Sequence, residues 1–156
     1  MIRKHVLGVA AAAMVAGWGL SAAAVDEPAN IIKYRQATMS AIGAHLSMLA
    51  MLAKNEVSFM DEAAGHAHAI NEMSKNLARL FPAGSGQGDT DVKSDALAVI
   101  WEKPEEFQAA IVAFQTESQK MVEVTETDDR AAFARQLGAL GKQGCGNCHD
   151  NFRAEN

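Results

Sequence analysis

Apolar side chains recur every three or four residues along most of the chain after residue 25, and alternating apolar and polar positions are rare. This spacing places apolar side chains on one face of a helix, so it predicts four amphipathic α-helices rather than strands. The apolar stripes run from Ile32 to Ala53, from Phe59 to Leu80, from Phe107 to Thr125 and from Phe133 to Phe152. Their predicted starts are Asp26-Glu27-Pro28, Ser58, Pro104 and Thr127.

One long stretch interrupts the pattern between the second and third predicted helices. Residues 82–89 combine proline, serine and three glycines, a composition that no regular element should cross. The whole connection extends from Phe81 to Lys103, and its apolar Ile100 and Trp101 predict that part of it folds back over the helices. Helices of roughly 20 to 27 residues joined by otherwise short connections favour an all-α fold, an antiparallel four-helix bundle.

Residues 1–24 have the features of a secretory signal peptide that is cleaved after export. Arg3 and Lys4 precede an apolar run and an alanine-rich cleavage site. The run is short and broken by glycines, which disfavours a retained membrane anchor. The sequence therefore predicts that residues 25–156 form one exported, soluble domain with one core.

The charge of the predicted domain limits its partners. Residues 25–156 carry 12 Lys and Arg against 19 Asp and Glu, a formal net charge of −7. Such a chain is a poor ligand for nucleic acid or anionic membrane. It would suit docking to a basic patch on a redox partner, although negative charge also serves solubility alone. No nucleophile elbow, H-E-x-x-H pair or phosphate loop is present, so an enzyme of ordinary type is not expected.

The most specific motif is Cys145-Gly146-Asn147-Cys148-His149, a C-x-x-C-H sequence of the kind to which c-type haem is attached. Two thiols add to the haem vinyl groups, and on a helix the two cysteines lie about one turn apart on one face. The histidine follows at i+4 from the first cysteine, so its imidazole can reach the iron. The motif therefore predicts one covalently attached haem c near the C-terminus.

Two neighbouring cysteines are also compatible with chemistry other than haem attachment. A zinc site would need further ligands, and the chain has only these two cysteines. A redox dithiol belongs in a βαβ context that the helical pattern lacks. A simple disulfide is the remaining alternative.

Three glycines precede the motif in the last predicted helix. Gly138, Gly141 and Gly144 each weaken this helix by about 1 kcal/mol relative to alanine. Such small residues would let a flat macrocycle approach the backbone, or would only loosen the packing.

The chain resembles the class II c-type cytochromes, the cytochrome c prime family with its methionine-ligated low-spin relatives. The resemblance covers residues 25–156 and depends most on the position of the haem motif at the very end of a predicted four-helix bundle. Its marks are Tyr34-Arg35-Gln36, Leu80-Phe81-Pro82, Ile100-Trp101 and the run from Gly144 to Arg153. The chain departs from the family pattern at Ala98, where relatives often have proline.

The resemblance implies a role for individual residues. Cys145 and Cys148 would carry the thioether bonds, and His149 would be the proximal iron ligand. The residues that would contact the haem edge or its propionates are Arg35, Gln36, Asp95 and Arg153. Independently of the family, Arg35 lies in the apolar stripe of the first helix, where an unpaired cation is costly. We expect a propionate to pair with it, the alternative being that Arg35 snorkels to water.

The sixth iron ligand decides the function that the resemblance implies. Met39 lies one turn after Arg35 and matches the family's distal position. If its sulfur binds the iron, the protein is a low-spin electron carrier. If the sulfur only packs over the iron, the haem is five-coordinate and binds nitric oxide or carbon monoxide. Of these two alternatives we expect the first, the low-spin electron carrier. His45, His66 and His68 are competing ligands, of which His66 is on the apolar stripe and His68 is expected to face solvent.

Export and family together imply a periplasmic protein that exchanges electrons with a partner protein of unknown identity. Once the signal peptide is removed, no membrane attachment is expected. The resemblance also implies a possible homodimer through the first two helices.

Overall fold

The computed structural model describes residues 27–155. The predicted signal peptide lies outside these residues. Six α-helices, named in chain order, make up most of the described chain. They are α1 (Pro28–Ala53), α2 (Ala63–Ser74), α3 (Val99–Glu102), α4 (Pro104–Thr125), α5 (Arg130–Ala139) and α6 (Asn147–Phe152). Two 3₁₀ turns (Met60–Glu62 and Leu77–Leu80) and one π-helical segment (Leu140–Gly146) complete the described helical structure.

Helix α1 follows its predicted stripe closely. Pro28 stands in the first turn, where its missing N–H costs no hydrogen bond. Ile32, Leu49 and Leu52 are almost completely buried along one face. The helix ends at Ala53, and Asn55 then adopts a positive φ of 58°, a conformation that asparagine tolerates. The first predicted helix is therefore confirmed at both of its ends.

The second helix is shorter than its stripe predicts. The chain after Ser58 first makes a 3₁₀ turn, and the α-helix begins only at Ala63. The α-helix then ends at Ser74, and Leu77 and Leu80 reach the core from a separate 3₁₀ turn. Apolar spacing of three residues is shared by both helix types, which is why the pattern could not separate them.

The fourth predicted helix is continuous from Arg130 to Phe152 but changes character within its length. Its N-cap is Asp129, whose carboxylate accepts a hydrogen bond from Ala132 N at 2.8 Å. The prediction of Thr127 as the cap is wrong, because the Thr127 hydroxyl instead donates to Val124 O in the last turn of α4. The π-helical turns of Leu140–Gly146 contain the first cysteine of the motif, and the second cysteine lies in the first turn of α6.

Gly144 explains part of the geometry of the π-helical segment. A Cβ at this position would lie 3.1 Å from Phe114 Cδ2 and 3.2 Å from Leu140 Cδ1. The absence of a side chain therefore lets the π segment pack closely on α4. At Gly138 and Gly141 a Cβ would meet nothing within 4 Å. The interpretation of Gly144 as a residue that only loosens the packing is wrong, since side chains of α4 and of the π segment itself fill that space.

The long connection after Leu80 folds back over the bundle, as predicted. Trp101 Nε1 donates to Phe81 O at 3.1 Å, and Ile100 is buried in the core. An isolated antiparallel bridge joins Ala96 to Arg153, so the connection is also tied to the C-terminal segment. These contacts place the connection beside the haem motif.

The helices pack as a four-helix bundle. Helix α4 contacts α2, α5 and the π segment, while α1 contacts α2 and α5. Buried side chains from all of them form a single core. One polar side chain within this core, Ser118, has its hydrogen-bonding capacity satisfied. Its Oγ donates to Gln115 O and lies within hydrogen-bond distance of Ser74 and Asn71. Within residues 27–155 no helix has the length and apolar character that a bilayer span requires.

Candidate haem site

A cavity of about 380 Å³ opens at the end of the bundle that carries the haem motif. Helices α1, α4 and α6 and the connection after Leu80 form its walls. Its lining residues are Arg35, Gln36, Met39, Ser40, Phe81, Ser94, Asp95, Ala96, Ile100, Phe107, Cys148, His149, Phe152 and Arg153. Seven of the eight predicted site residues therefore line one cavity, and the eighth, Cys145, lies three residues before Cys148 in the chain.

Three phenylalanines give the cavity an apolar wall. The ring of Phe107 packs edge to face against Phe81 at 4.8 Å and against Phe152 at 5.1 Å between ring centroids. Phe107 and Phe152 are buried. Sequence reasoning assigned these two residues to the core stripes and did not place them in the site. Their positions near Pro104 and His149 are the only sequence signal that could have identified them.

The haem motif lies where the π segment passes into α6. Cys148 and His149 line the cavity, and Cys145 is half-buried just before them. Both cysteines are free thiols. This is the state required for addition to two vinyl groups, and no bond between the two sulfurs competes with it.

Burial controls the ionisation of these groups. It raises the pKa of the Cys145 thiol, and it raises that of Cys148 to about 11, with the neighbouring Cys145 adding to the effect. Burial also lowers the pKa of His149, and the Arg153 cation lowers it further. A neutral imidazole is the form that ligates a metal ion. The site therefore presents His149 in its metal-binding form.

Met39 is on the wall formed by α1, whereas His149 is on the wall formed by α6. The Met39 side chain is partly buried and packs against the core. None of the competing histidines lines the cavity. His45 and His66 contact each other elsewhere, and His68 is exposed as predicted. Met39 is thus the one predicted distal ligand that the fold brings to the site.

Arg35 is held by the protein itself. Its Nη1 donates to Leu80 O at 2.7 Å and to Ser85 Oγ at 3.0 Å, and its Nη2 donates to Ser85 O at 2.7 Å and to Ser94 Oγ at 2.9 Å. Its guanidinium also lies 4.6 Å above the Phe81 ring. The side chain is only 5% exposed. The alternative that Arg35 snorkels to water is therefore wrong.

These bonds also change the reason for expecting a propionate at Arg35. The cation is already satisfied by carbonyls and hydroxyls of the connection, so a propionate is not needed to offset its burial. Arg35 still lines the cavity and can act on a bound group through its charge. The serines that hold it were missed, because they are separated from Arg35 by 50 and 59 positions in the chain.

The three remaining predicted residues lie at the rim of the cavity. Gln36 Nε2 donates to Lys93 O at 2.8 Å. The Asp95 carboxylate lies 3.6 Å from Lys93 Nζ, and Asp95 O accepts a hydrogen bond from Ala154 N at 2.8 Å. Arg153 forms the bridge with Ala96. The backbone around Asp95 is therefore fixed by the C-terminal segment and does not depend on a proline at position 98.

The donor set fits a c-type haem. Two thiols, a neutral imidazole and a thioether come from three elements that meet at one apolar cavity, and the cationic Arg35 and Arg153 that line it would suit the haem propionates. Iron accepts imidazole and thioether ligands, and aromatic walls suit a flat macrocycle.

Comparisons with known proteins agree with this fit. A family model described as Cytochrome C' matches residues 30–153. The chain is 32% identical to a cytochrome c' of Pararhodospirillum photometricum, covering 81% of this chain and 98% of that protein. It is 34% identical to a cytochrome c-554 of Cereibacter sphaeroides, covering 80% and 92%. The nitric oxide complex of a cytochrome c prime variant from Alcaligenes xylosoxidans has a TM-score of 0.73 at 21% identity, covers 83% of this chain and 98% of that one, and shows a likeness of fold.

Proposed function

Because the chain belongs to the cytochrome c prime family and carries one covalently attached haem c on Cys145 and Cys148, we propose that it is an electron carrier whose iron is ligated by His149 and Met39. The observation that carries this proposal is the presence of the Met39 thioether and the His149 imidazole on different walls of the same cavity. The protein is thus an electron carrier and not an enzyme.

The haem supplies one-electron redox chemistry. The chain's own residues set the conditions for it. Met39 and His149 belong to helices packed into the core, so their positions change little when the charge of the site changes. Thioether ligation favours the reduced iron and raises the potential. The phenylalanine wall keeps water from one side of the site, and the Arg35 hydrogen bonds hold the connection that closes another.

The alternative function is gas binding at a five-coordinate haem. Met39 is an unbranched, only partly buried side chain, so its sulfur could pack over the iron without bonding to it. The cytochrome c prime variant of Alcaligenes xylosoxidans forms a nitric oxide complex. In that case this chain would bind nitric oxide or carbon monoxide at the face that Met39 covers.

We also propose the cellular setting that both functions share. Residues 1–24 act as a cleaved signal peptide, residues 25–156 form the exported domain, and the protein works in the periplasm with a partner protein that supplies or accepts electrons. Two large hydrophobic side chains on α1, Tyr34 and Met51, are exposed and would suit a homodimer through the first two helices. Sedimentation of the haem-loaded protein tests the dimer.

The first prediction concerns Met39, and an optical spectrum with and without carbon monoxide tests it. The haem-loaded wild type should show a low-spin oxidised spectrum with the weak long-wavelength band of iron–thioether ligation, and carbon monoxide should leave the reduced spectrum unchanged. Met39→Ala should convert the spectrum to high-spin and open the site to the gas.

Met48→Ala is the matched control, because Met48 lies on the same helix, is also half-buried and does not line the cavity. Its spectrum should equal that of the wild type. A wild-type spectrum that is already high-spin and responds to carbon monoxide would replace the carrier with the gas-binding function. A spectrum that Met39→Ala leaves unchanged would remove Met39 as a ligand.

A further inference from the structure

Two histidines meet on the α1–α2 side of the bundle, away from the haem cavity. His45 on α1 and His66 on α2 bring their Nδ1 atoms to 3.0 Å, with ring centroids 5.2 Å apart and ring planes tilted by 46°. Neither residue lines the haem cavity. The pair is therefore not used by the proposed electron transfer.

The geometry of this contact fixes what the two rings can share. A neutral imidazole has one N–H donor and one nitrogen acceptor. At 3.0 Å the two Nδ1 atoms share a single proton, with one ring donating and the other accepting. Both nitrogens therefore point at the same small volume. A tetrahedral metal ion with bonds of about 2.0–2.1 Å holds two nitrogens about 3.3 Å apart. Replacing the shared proton by such an ion needs the two nitrogens to separate by a few tenths of an ångström. It also needs both rings to turn, because the ion lies to one side of the line that joins the nitrogens and both lone pairs must point at it.

A carboxylate stands on the far side of one ring. Glu62 Oε2 lies 4.0 Å from His66 Nε2, one helical turn before it. A negative charge at Nε2 favours the proton on that nitrogen and leaves the Nδ1 lone pair free. Metal-binding histidines are commonly oriented by a carboxylate on the nitrogen that does not bind. The Glu62 side chain is 65% exposed, so it is free to close the remaining distance.

Helices α1 and α2 hold the histidine pair between buried contacts and leave one side of it accessible to water. Helices α1 and α2 pack through buried side chains on either side of the pair, which include Ile42, Leu49, Ala63 and Ala67. The His66 side chain keeps 16% of its surface exposed, and His45 is also only partly buried. Water can therefore complete a coordination shell. In residues 27–155 no cluster of three or more His, Cys, Asp or Glu is placed to hold a metal ion, so the site would have two protein ligands and bound water.

We propose that His45 and His66 chelate one divalent transition-metal ion of the class that prefers imidazole, represented by Zn²⁺, at a site separate from the haem. The ion joins α1 to α2 and takes the place of the proton that the two rings share. Glu62 acts as a positioning residue for His66.

Calorimetric titration of the haem-loaded protein with Zn²⁺ tests this proposal. Zinc is redox-inert, and His149 is already engaged by the haem, so the titration reports on the remaining histidines. The wild type should bind one Zn²⁺ per chain. His45→Gln and His66→Gln should each weaken binding by at least about tenfold, and Glu62→Gln should weaken it by a smaller factor.

His68→Gln is the matched control, since His68 is exposed on the same helix two residues away. It should leave the affinity unchanged. A second measurement guards against misfolded variants. Without zinc, all variants should keep the wild-type helicity and haem spectrum, and Zn²⁺ should raise the unfolding temperature of the wild type and of His68→Gln but not that of His45→Gln or His66→Gln. No stoichiometric binding by the wild type, or undiminished binding by His45→Gln and His66→Gln, would overturn the proposal.

Discussion

Two arginines hydrogen-bond distant parts of the chain to each other near opposite ends of α1, and they differ in their burial and in the number of hydrogen bonds they make. Arg35 near the haem end makes four hydrogen bonds to residues 45 to 59 positions away and is 5% exposed. Arg130 near the other end donates to Leu52 O at 3.0 Å and to Asn55 Oδ1, and it is exposed. The first is part of the interior, while the second is a surface contact.

The difference follows from what each end has to do. At the far end the chain turns within a few residues, and a local cap such as Asp129 satisfies the first N–H groups of α5. At the haem end a long connection must stay close to the bundle without regular structure, so its carbonyls need a donor from outside. Arg35 supplies that donor. The bundle therefore stabilises the wall of its cofactor cavity by one buried cation.

The largest predicted effect is the loss of Arg35. Arg35→Met should remove four hydrogen bonds to buried oxygens of the connection, at a cost on the order of 3 kcal/mol or more in unfolding free energy. Arg130→Met should cost about 0.5–1 kcal/mol, because water replaces the lost bonds. Chemical denaturation of the haem-loaded proteins measures both.

A second measurement separates the role of Arg35 in the site from its role in stability. We expect the reduction potential to shift in Arg35→Met and to stay at the wild-type value in Arg130→Met, because only Arg35 lines the cavity. Equal losses of stability in the two variants would contradict the contrast between the two ends of α1.

These contacts mark the limit of what the sequence could predict. The spacing of apolar residues was sufficient for the all-α bundle, and the C-x-x-C-H motif was sufficient for the cofactor. The stripe also identified Arg35 as a buried cation that needs partners. It could not identify Ser85 and Ser94, because nothing in a glycine-rich segment shows where it will fold back. The His45–His66 contact was hidden for the same reason, since it depends on how two helices face each other.

The next prediction compares two glycines of the same continuous helix. Gly144→Ala should destabilise the protein by about 1–3 kcal/mol, because its Cβ would press against Phe114 and Leu140. Gly138→Ala should stabilise it by about 0.5–1 kcal/mol, because its Cβ meets open space and alanine favours the helix. Thermal unfolding should therefore shift in opposite directions, and a stabilised Gly144→Ala would show that the haem end is not closely packed.

The smallest predicted effect concerns acid and the half of α4 that lies away from the cavity. The Glu117 carboxylate accepts hydrogen bonds from Lys120 Nζ at 2.7 Å and from Gln136 Nε2 at 2.8 Å, and these lower its pKa below the ordinary 4.5. A carboxyl with a lowered folded-state pKa contributes stability that is complete above its unfolded pKa and is lost as the pH falls through the folded value. Glu117→Gln should therefore lower stability at pH 7 slightly and make the decline below about pH 4.5 less steep. Denaturation curves from pH 3 to 7 would show this change.

The control for this prediction is the haem spectrum at pH 7, which should be unaltered because Glu117 does not line the cavity. An equally steep decline in the variant would mean that the acid sensitivity of the bundle comes from other carboxyls, such as that of Asp129, whose pKa is also lowered.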